Sequence, residues 1–226
     1  MPEKIIKGIV ISTQNYSDFD QIVKIATSTG IISFIALGTL RPTSKNRTSL
    51  NLGTLAEFEI FLARQDGKVS KLKKAHLVKE LNLDQNFGIQ VWQILSKLTL
   101  LPNYLPKLFA FLEQALLSLN NHNYQAIIVY LLIQWIRLQG FVTNFNKCYF
   151  CGTNQNLVNF DFQKGMQCLK HENNLVHKAI KKEALAIFYW SNFDLSIFLK
   201  EINFNYSFIC FEIIYNFLIE NTYMFN

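Results

Sequence analysis

The segment Ile22-Val23-Lys24-Ile25, followed by Thr29-Gly30 and then Ile31-Ile32-Ser33-Phe34-Ile35-Ala36-Leu37, decides how the first third of the chain folds. Two apolar, β-branched runs flank a glycine that supplies the positive φ a tight hairpin requires. Upstream, Ile5-Ile6 to Ile11 is a further β-branched run, joined to the hairpin by the polar stretch Gln14 to Asp20. Downstream, Glu57, Phe58, Glu59 and Ile60 alternate charged and apolar residues, as a strand with one wet face does. Asp66-Gly67 reads as one more turn, and Val69-Ser70-Lys71-Leu72 alternates back. Five short strands in so short a span predict a small closed barrel.

The period changes near residue 80. Val91, Ile94, Leu95, Leu98 and Leu101 recur every three and four residues, predicting a helix that stops before Pro102. Leu105, Leu108, Phe109, Leu112, Leu116 and Leu119 predict a second, ending at Asn120-Asn121. Tyr124 to Leu138 predicts a third, apolar on most sides and therefore central, with Gly140 as its stop. Leu157 to Phe162 reads as a short strand. Helical periodicity returns near Val176 and again from Glu201 to Leu218. The expected division is residues 1–80 for the strands and 81–226 for a helical domain, with a metal segment at 146–171.

That metal segment carries Cys148, Cys151, Cys168 and His171, spaced Cys-x2-Cys-x16-Cys-x2-His. Two short ligand pairs on separate turns can wrap one tetrahedral ion, and thiolate with imidazole is the ligand set of closed structural zinc sites. Four protein ligands leave no open position, so one such ion braces structure and does not activate water. His177 is an alternative fourth ligand, though its longer gap makes a less compact knuckle. Cys210 sits apart in an apolar run and reads as core. The cysteines form no disulfide framework, which fits a reducing compartment.

Half of the 226 residues are hydrophobic and 17% are charged, which excludes disorder and allows a real core. The start of the chain shows no charged-then-apolar leader, and the longest apolar stretch, Ala126 to Ile133, is far short of the ~20 residues that span a bilayer. The expectation is a soluble, cytoplasmic protein with no membrane partner.

Net charge is +6 with pI near 9.1, and most of it is local. Residues 1–80 hold twelve Lys and Arg against seven Asp and Glu, a surplus of five. Arg41, Lys45 and Arg47 fall among Thr and Ser in a loop from Gly38 to Ser49 that contains no acid. Guanidinium forks with hydroxyl donors suit phosphate oxygens. Lys68, Lys71, Lys73 and Lys74 form a second cluster, and Tyr16, Phe19 and Phe34 are candidate base platforms, Phe34 reading more as core. If about six of these cations neutralise phosphates, log affinity falls with log salt at a slope of roughly −5 on duplex DNA.

Enzyme signatures are missing. The chain has no Gly-rich phosphate loop, no nucleophile elbow, no His-Glu-x-x-His helix, and no His-x-Glu pair upstream of the Cys-x-x-Cys. A binding protein is expected, with two competitors: an OB-fold RNA-binding protein, and a zinc hydrolase or deaminase whose fourth metal position is open.

Several stretches, in order, resemble the RecO family of recombination mediators. They are Gly8-Ile9-Val10-Ile11 with Asn15-Tyr16-Ser17-Asp18-Phe19-Asp20; Thr27-Ser28-Thr29-Gly30-Ile31-Ile32-Ser33; Ala36-Leu37-Gly38 with Ser44; and Cys148-Tyr149-Phe150-Cys151-Gly152 with Phe160, Gly165 and Cys168. His171 stands where many members carry a fourth Cys. The resemblance implies an α+β fold, with an N-terminal five-stranded OB-fold β-barrel followed by an α-helical domain with an inserted zinc knuckle. It also implies a non-enzymatic, bacterial DNA repair protein, nucleoid-associated during repair. Such a protein binds single- and double-stranded DNA and anneals complementary strands. It acts with RecR to load RecA onto strands coated by SSB, whose C-terminal tail the helical domain captures. On that reading Arg41, Lys45 and Arg47 grip backbone, and Lys71, Lys73 and Lys74 extend the track.

Overall fold

The computed structural model describes residues 3–63, 69–99, 105–141, 145–171 and 180–222. The chain divides into two compact units, Met1–Ser118 and Leu119–Asn226.

The first unit is built on five strands: β1 (Glu3–Asn15), β2 (Gln21–Thr27), β3 (Gly30–Ala36), β4 (Leu55–Phe61) and β5 (Ser70–Lys79). The expected hairpin is present. Gly30 takes φ 119°, and the Thr27 hydroxyl donates to its carbonyl at 2.7 Å, closing the turn between β2 and β3. Strand order is β1-β2-β3-β5-β4, and β4 also pairs with β1, so the pairings run full circle as a closed barrel. Alternate residues face inward: Ile6 and Val10 from β1, Val23 and Ile25 from β2, Phe34 and Ala36 from β3, Phe58 and Ile60 from β4. Phe34 is core, packed 5.6 Å from Phe58 between ring centroids. Gly8 lets β1 pass close to β2, since a Cβ there would meet Ile25 Cδ1 at 2.9 Å and the Ala26 carbonyl at 3.0 Å.

On β5 the pairing with β4 shifts register twice, once where Val78 is passed over and once at Lys73. Glu59 pairs with Lys74 and Ile60 with Leu72, leaving Lys73 as the extra residue of a bulge. Leu72 and Ala75 both reach the core although three positions separate them, and Lys73 and Lys74 are both left outside. The expected turn at Asp66-Gly67 lies outside the described residues.

The expected architecture, an OB-fold β-barrel followed by an α-helical domain with an inserted zinc knuckle, is corrected in its composition: the sheet of the first unit is mixed and shares that unit with two helices, and helices with a small second sheet follow. The sheet is mixed because β3 and β5 run parallel, sharing only two pairs, Phe34 with Ser70 and Ile35 with Lys71; the length of β5 is committed to β4. Two helices, α1 (Asn86–Thr99) and α2 (Leu105–Ser118), belong to the compact unit of the sheet, where α2 packs on β2 and Lys7 Nζ lies 3.0 Å from Glu113. The second unit is not purely helical, since it carries a two-stranded sheet of its own.

In that second unit α3 (Tyr124–Leu138) is the centre, with every residue from Ala126 to Ile136 buried, as its all-round apolar sequence predicts. Around it lie α4 (Lys182–Trp190), α5 (Leu195–Glu201) and α6 (Ser207–Asn221). The helix expected from Glu201 to Leu218 is broken: Asn203 accepts a hydrogen bond from the Asn205 amide and starts a separate turn, Phe204–Tyr206. The periodicity near Val176 lies outside the described residues. Cys210 is core, its thiol pushed up to about 12 by burial. A two-stranded antiparallel sheet, β6 (Leu157–Asp161) with β7 (Gly165–Cys168), precedes α4. Among the described residues no single helix is long and apolar enough to cross a membrane; Leu195–Glu201 with Phe204–Asn221 passes that test only as a pair bent by 98°.

A candidate nucleic-acid interface and a candidate metal centre

The basic loop of the first unit is held by polar side chains whose neighbours come from elsewhere in the sheet. Thr39 is buried beneath it, donating to the Ala36 carbonyl at 3.0 Å and accepting from Gln21 Nε2 at 3.1 Å. The Leu40 amide donates to the Phe19 carbonyl at 3.0 Å, and the Gly38 amide to Asp20 Oδ1 at 2.7 Å. These bonds lace the loop to the β1–β2 connection. The Gly38 bond, with a smaller contribution from Ser17, holds the Asp20 carboxyl below its usual value of 3.8. On the other side Asn46 Oδ1 accepts from the Ala75 amide at 3.0 Å, tying the loop to β5 one residue past the two lysines freed by the bulge.

The loop carries cations, and exposed aromatic rings stand in the connection to which it is laced. Arg41 lies with Cζ 4.7 Å from the centroid of Phe19, which is 47% exposed, and Tyr16 is 62% exposed in the same connection. Arg41, Lys45, Arg47, Lys71 and Lys74 are exposed and, among the described residues, none lies within ion-pair distance of a carboxylate. Lys73 differs: its ammonium sits 2.6 Å from Glu3 and 3.4 Å from Glu59, and the Glu3 bond raises its pKa. Burial alone would raise the Glu59 carboxyl, but hydrogen bonds from His76 and Lys73 outweigh it and leave it lowered. Lys68 lies outside the described residues. Arg47 also edges a cleft of about 390 Å³ shared with Thr13, Asn51 and Glu80.

In the second unit Cys148, Cys151, Cys168 and His171 converge, their ligand atoms all within 4.8 Å of one another. Each pair has its own turn. The Cys148 amide donates to the Thr153 carbonyl at 2.7 Å and the Gly152 amide to the Cys148 carbonyl at 2.8 Å; Cys168 ends β7 and leads into a 3-10 turn, Leu169–His171. Hairpin β6–β7 brings the turns together, with the Tyr149 amide donating to the Met166 carbonyl at 2.9 Å. Burial would raise the Cys148 thiol from 9.0, yet amides of Cys151, Cys168 and Phe150 aimed at its sulfur lower it to about 6. Cys168 is raised by burial and by the neighbouring thiols.

The spacings test the donor set against a metal. A tetrahedron with bonds of about 2.3 Å to sulfur and about 2.05 Å to nitrogen has edges of about 3.8 Å between sulfurs and about 3.6 Å from sulfur to nitrogen. Cys151 and Cys168 sulfurs stand 3.8 Å apart, and His171 Nδ1 lies 3.6 Å from Cys148 and 3.4 Å from Cys168. The residues fit a tetrahedral ion. His177 lies outside the described residues.

Two family models match the chain, Recombination protein O N terminal over residues 1–81 and Recombination protein O C terminal over 91–192. The chain is 33% identical over 178 residues to the DNA repair protein RecO of Mesoplasma florum, covering 74% of this chain and 67% of that protein. It belongs to the RecO family. Proteins of the same name from Mycoplasma mycoides and Mycoplasma capricolum are 29% and 28% identical, over 69% of this chain and 66% of each of them. The chain thus spans about two thirds of the length of these relatives. The basic loop falls within the first RecO match and all four residues of the Cys3His cluster within the second.

Three features of these sites escape a linear reading. The ring of Phe19 under Arg41, the tie of Asn46 to Ala75 and the capture of Lys73 by Glu3 join residues 22, 29 and 70 positions apart. The acid-free composition of the loop was the one local signal, and it does not name partners.

Proposed function

We propose that this chain is a non-catalytic DNA-binding mediator, whose OB-fold-like unit holds single- and double-stranded DNA by the backbone and promotes annealing of complementary strands. The observation that carries this is the laced loop: Arg41, Lys45 and Arg47 have no carboxylate within ion-pair distance among the described residues, and Arg41 lies over exposed Phe19, with exposed Tyr16 in the same connection. Cations screen two phosphate backbones while aromatic faces receive unpaired bases, and annealing needs no nucleotide hydrolysis. Lys71 and Lys74 extend the track. Lys73, neutralised by Glu3 and Glu59, organises the surface, so five described cations give a slope nearer −4.5 than −5 on duplex, by roughly 0.9 per phosphate. Lys68 is a further candidate.

The division of labour follows the family: residues 1–80 on DNA, 81–226 on proteins, with RecR as working partner, the SSB tail as docking target, and RecA loading as the outcome, in the bacterial cytoplasm. Zinc is the proposed ion for Cys148, Cys151, Cys168 and His171. When bound, it closes the knuckle and carries out no chemistry, because all four positions are protein ligands. Hairpin β6–β7 and the amides aimed at Cys148 hold the ligands ready.

The test is annealing of complementary oligonucleotides without ATP, with and without SSB. Arg41, Lys45 and Arg47 are reversed to Glu in parallel, and RNA of the same sequence serves as comparison. Annealing that requires the three cations and prefers DNA supports the reading. Annealing untouched by their reversal removes the loop from it, and a preference for RNA overturns the choice of polymer.

A further inference from the structure

The metal knuckle carries an exposed ring that bracing does not require. Phe150 lies between the two ligands of the first pair and is 56% exposed. Its ring is 3.9 Å from that of Tyr149, tilted by 31°, and 5.1 Å from the imidazole of His171, tilted by 36°. The turn beneath it is held by backbone hydrogen bonds: the Phe150 amide points at the Cys148 sulfur, and the Tyr149 amide is bonded to the Met166 carbonyl at 2.9 Å. Each ligand pair also has a lysine at its edge. Lys147 precedes Cys148, and Lys170, whose amide is directed at the Cys168 sulfur, precedes His171. Both are exposed, and neither has a carboxylate within ion-pair distance among the described residues. Between Asn146 and His171 there are three lysines and a single acid, Asp161, whose Oδ1 accepts from the amides of Gln163 and Lys164.

A fixed aromatic face flanked by unpaired cations is the arrangement that receives an unstacked base and its two phosphates. The ring is already packed against Tyr149 and His171 before binding, so less side-chain freedom is lost than from an isolated ring. We propose that Tyr149, Phe150 and His171 form a base-stacking platform for single-stranded nucleic acid, with Lys147 and Lys170 on the adjoining phosphates. The second unit then contacts unpaired strand in its own right, in addition to the contact made by the sheet unit. This rests on the reading of the chain as a DNA-binding protein.

Stacking needs an unpaired base, which separates this site from a purely electrostatic one. In the full chain, Phe150→Ala weakens binding to a single-stranded oligonucleotide by about 5-fold or more, up to about 150-fold, the range of alanine substitutions at stacking aromatics. Affinity for duplex of the same length, affinity for an abasic backbone, and the salt slope all stay as they are. Phe150→Trp restores single-strand binding and adds indole emission that the strand quenches. Zinc content and melting temperature are followed in each variant. If Phe150→Ala lowers either, Phe150→Leu, which keeps apolar bulk without a π face, decides the matter by losing single-strand affinity with zinc retained. Equal loss on single strand and duplex, or no loss in a folded variant while the wild type binds, overturns the platform alone. A wild type that binds no oligonucleotide overturns the DNA-binding reading with it.

Discussion

Cys148 and Asp20 show how single side chains hold the two sites. Cys148 is buried, accepts several amides at its sulfur, and lies 3.6 Å from His171 Nδ1. Serine in its place is a poorer zinc ligand with shorter reach. Cys148→Ser is therefore expected to lower zinc content and melting temperature, measured by metal analysis and calorimetry. A structural zinc supplies ~10–16 kcal/mol in finger peptides, of which a preformed unit feels only part. Unchanged zinc content would remove Cys148 from the ligand set. Asp20 holds Gly38 by its charged form, so its folded value lies below 3.8. A lowered carboxyl contributes stability that is fully present above the unfolded value and lost as pH falls through the folded one. The Gly38 amide, followed by NMR, is expected to titrate with an inflection below 3.8; an inflection at or above that value would refute the bond's role. The ligand spacing and the acid-free loop were visible residue by residue, because both are written within a few positions. Which amides and rings meet them was not.

At the scale of elements, β2, β3, α1 and α2 were legible because each repeats its own period: two for Val23, Ile25 and Phe34, and 3.6 for Leu105, Leu108, Leu112 and Leu116. Alternation fails at β5, where the bulge at Lys73 keeps both Leu72 and Ala75 inward. Deleting Lys73 joins Leu72, Lys74 and Ala75 into a regular in-out-in pattern, whereas deleting Ala75 turns His76 toward the core. The first variant is expected to stay folded with a small loss in melting temperature, from its lost pairs with Glu3 and Glu59. The second is expected to unfold. Comparable melting of the two would mean that the bulge does not set the register. The break at Asn203 was hidden for a related reason: apolar residues on both sides continue a helical count, and only the Asn203 side chain, turned to the Asn205 amide, interrupts it.

For the whole molecule the measurable quantity is how affinity responds to salt. Replacing Arg41, Lys45 and Arg47 together with Gln removes three exposed cations that have no ion pair to lose among the described residues. The slope of log affinity against log salt is expected to shrink by about 2.7 on duplex and about 2 on single strands, read from fluorescence anisotropy at several salt concentrations. A slope unchanged by the triple variant would show that phosphates do not meet this loop. The linear order of residues determined the identity and order of the first five strands and of α1 to α3, the concentration of charge in the first eighty residues, and a ligand pattern able to hold a metal, since each is a property of near neighbours. Tertiary structure alone decided that β5 meets β3 in a parallel seam two pairs long, and that Glu3 neutralises Lys73 across 70 positions while Arg41, Lys45, Arg47, Lys71 and Lys74 have no ion pair among the described residues. It also decided that Phe19 lies beneath Arg41. Pairing register and loop lacing bring distant residues within a few ångströms, and electrostatic and stacking forces act on that separation, not on distance along the chain.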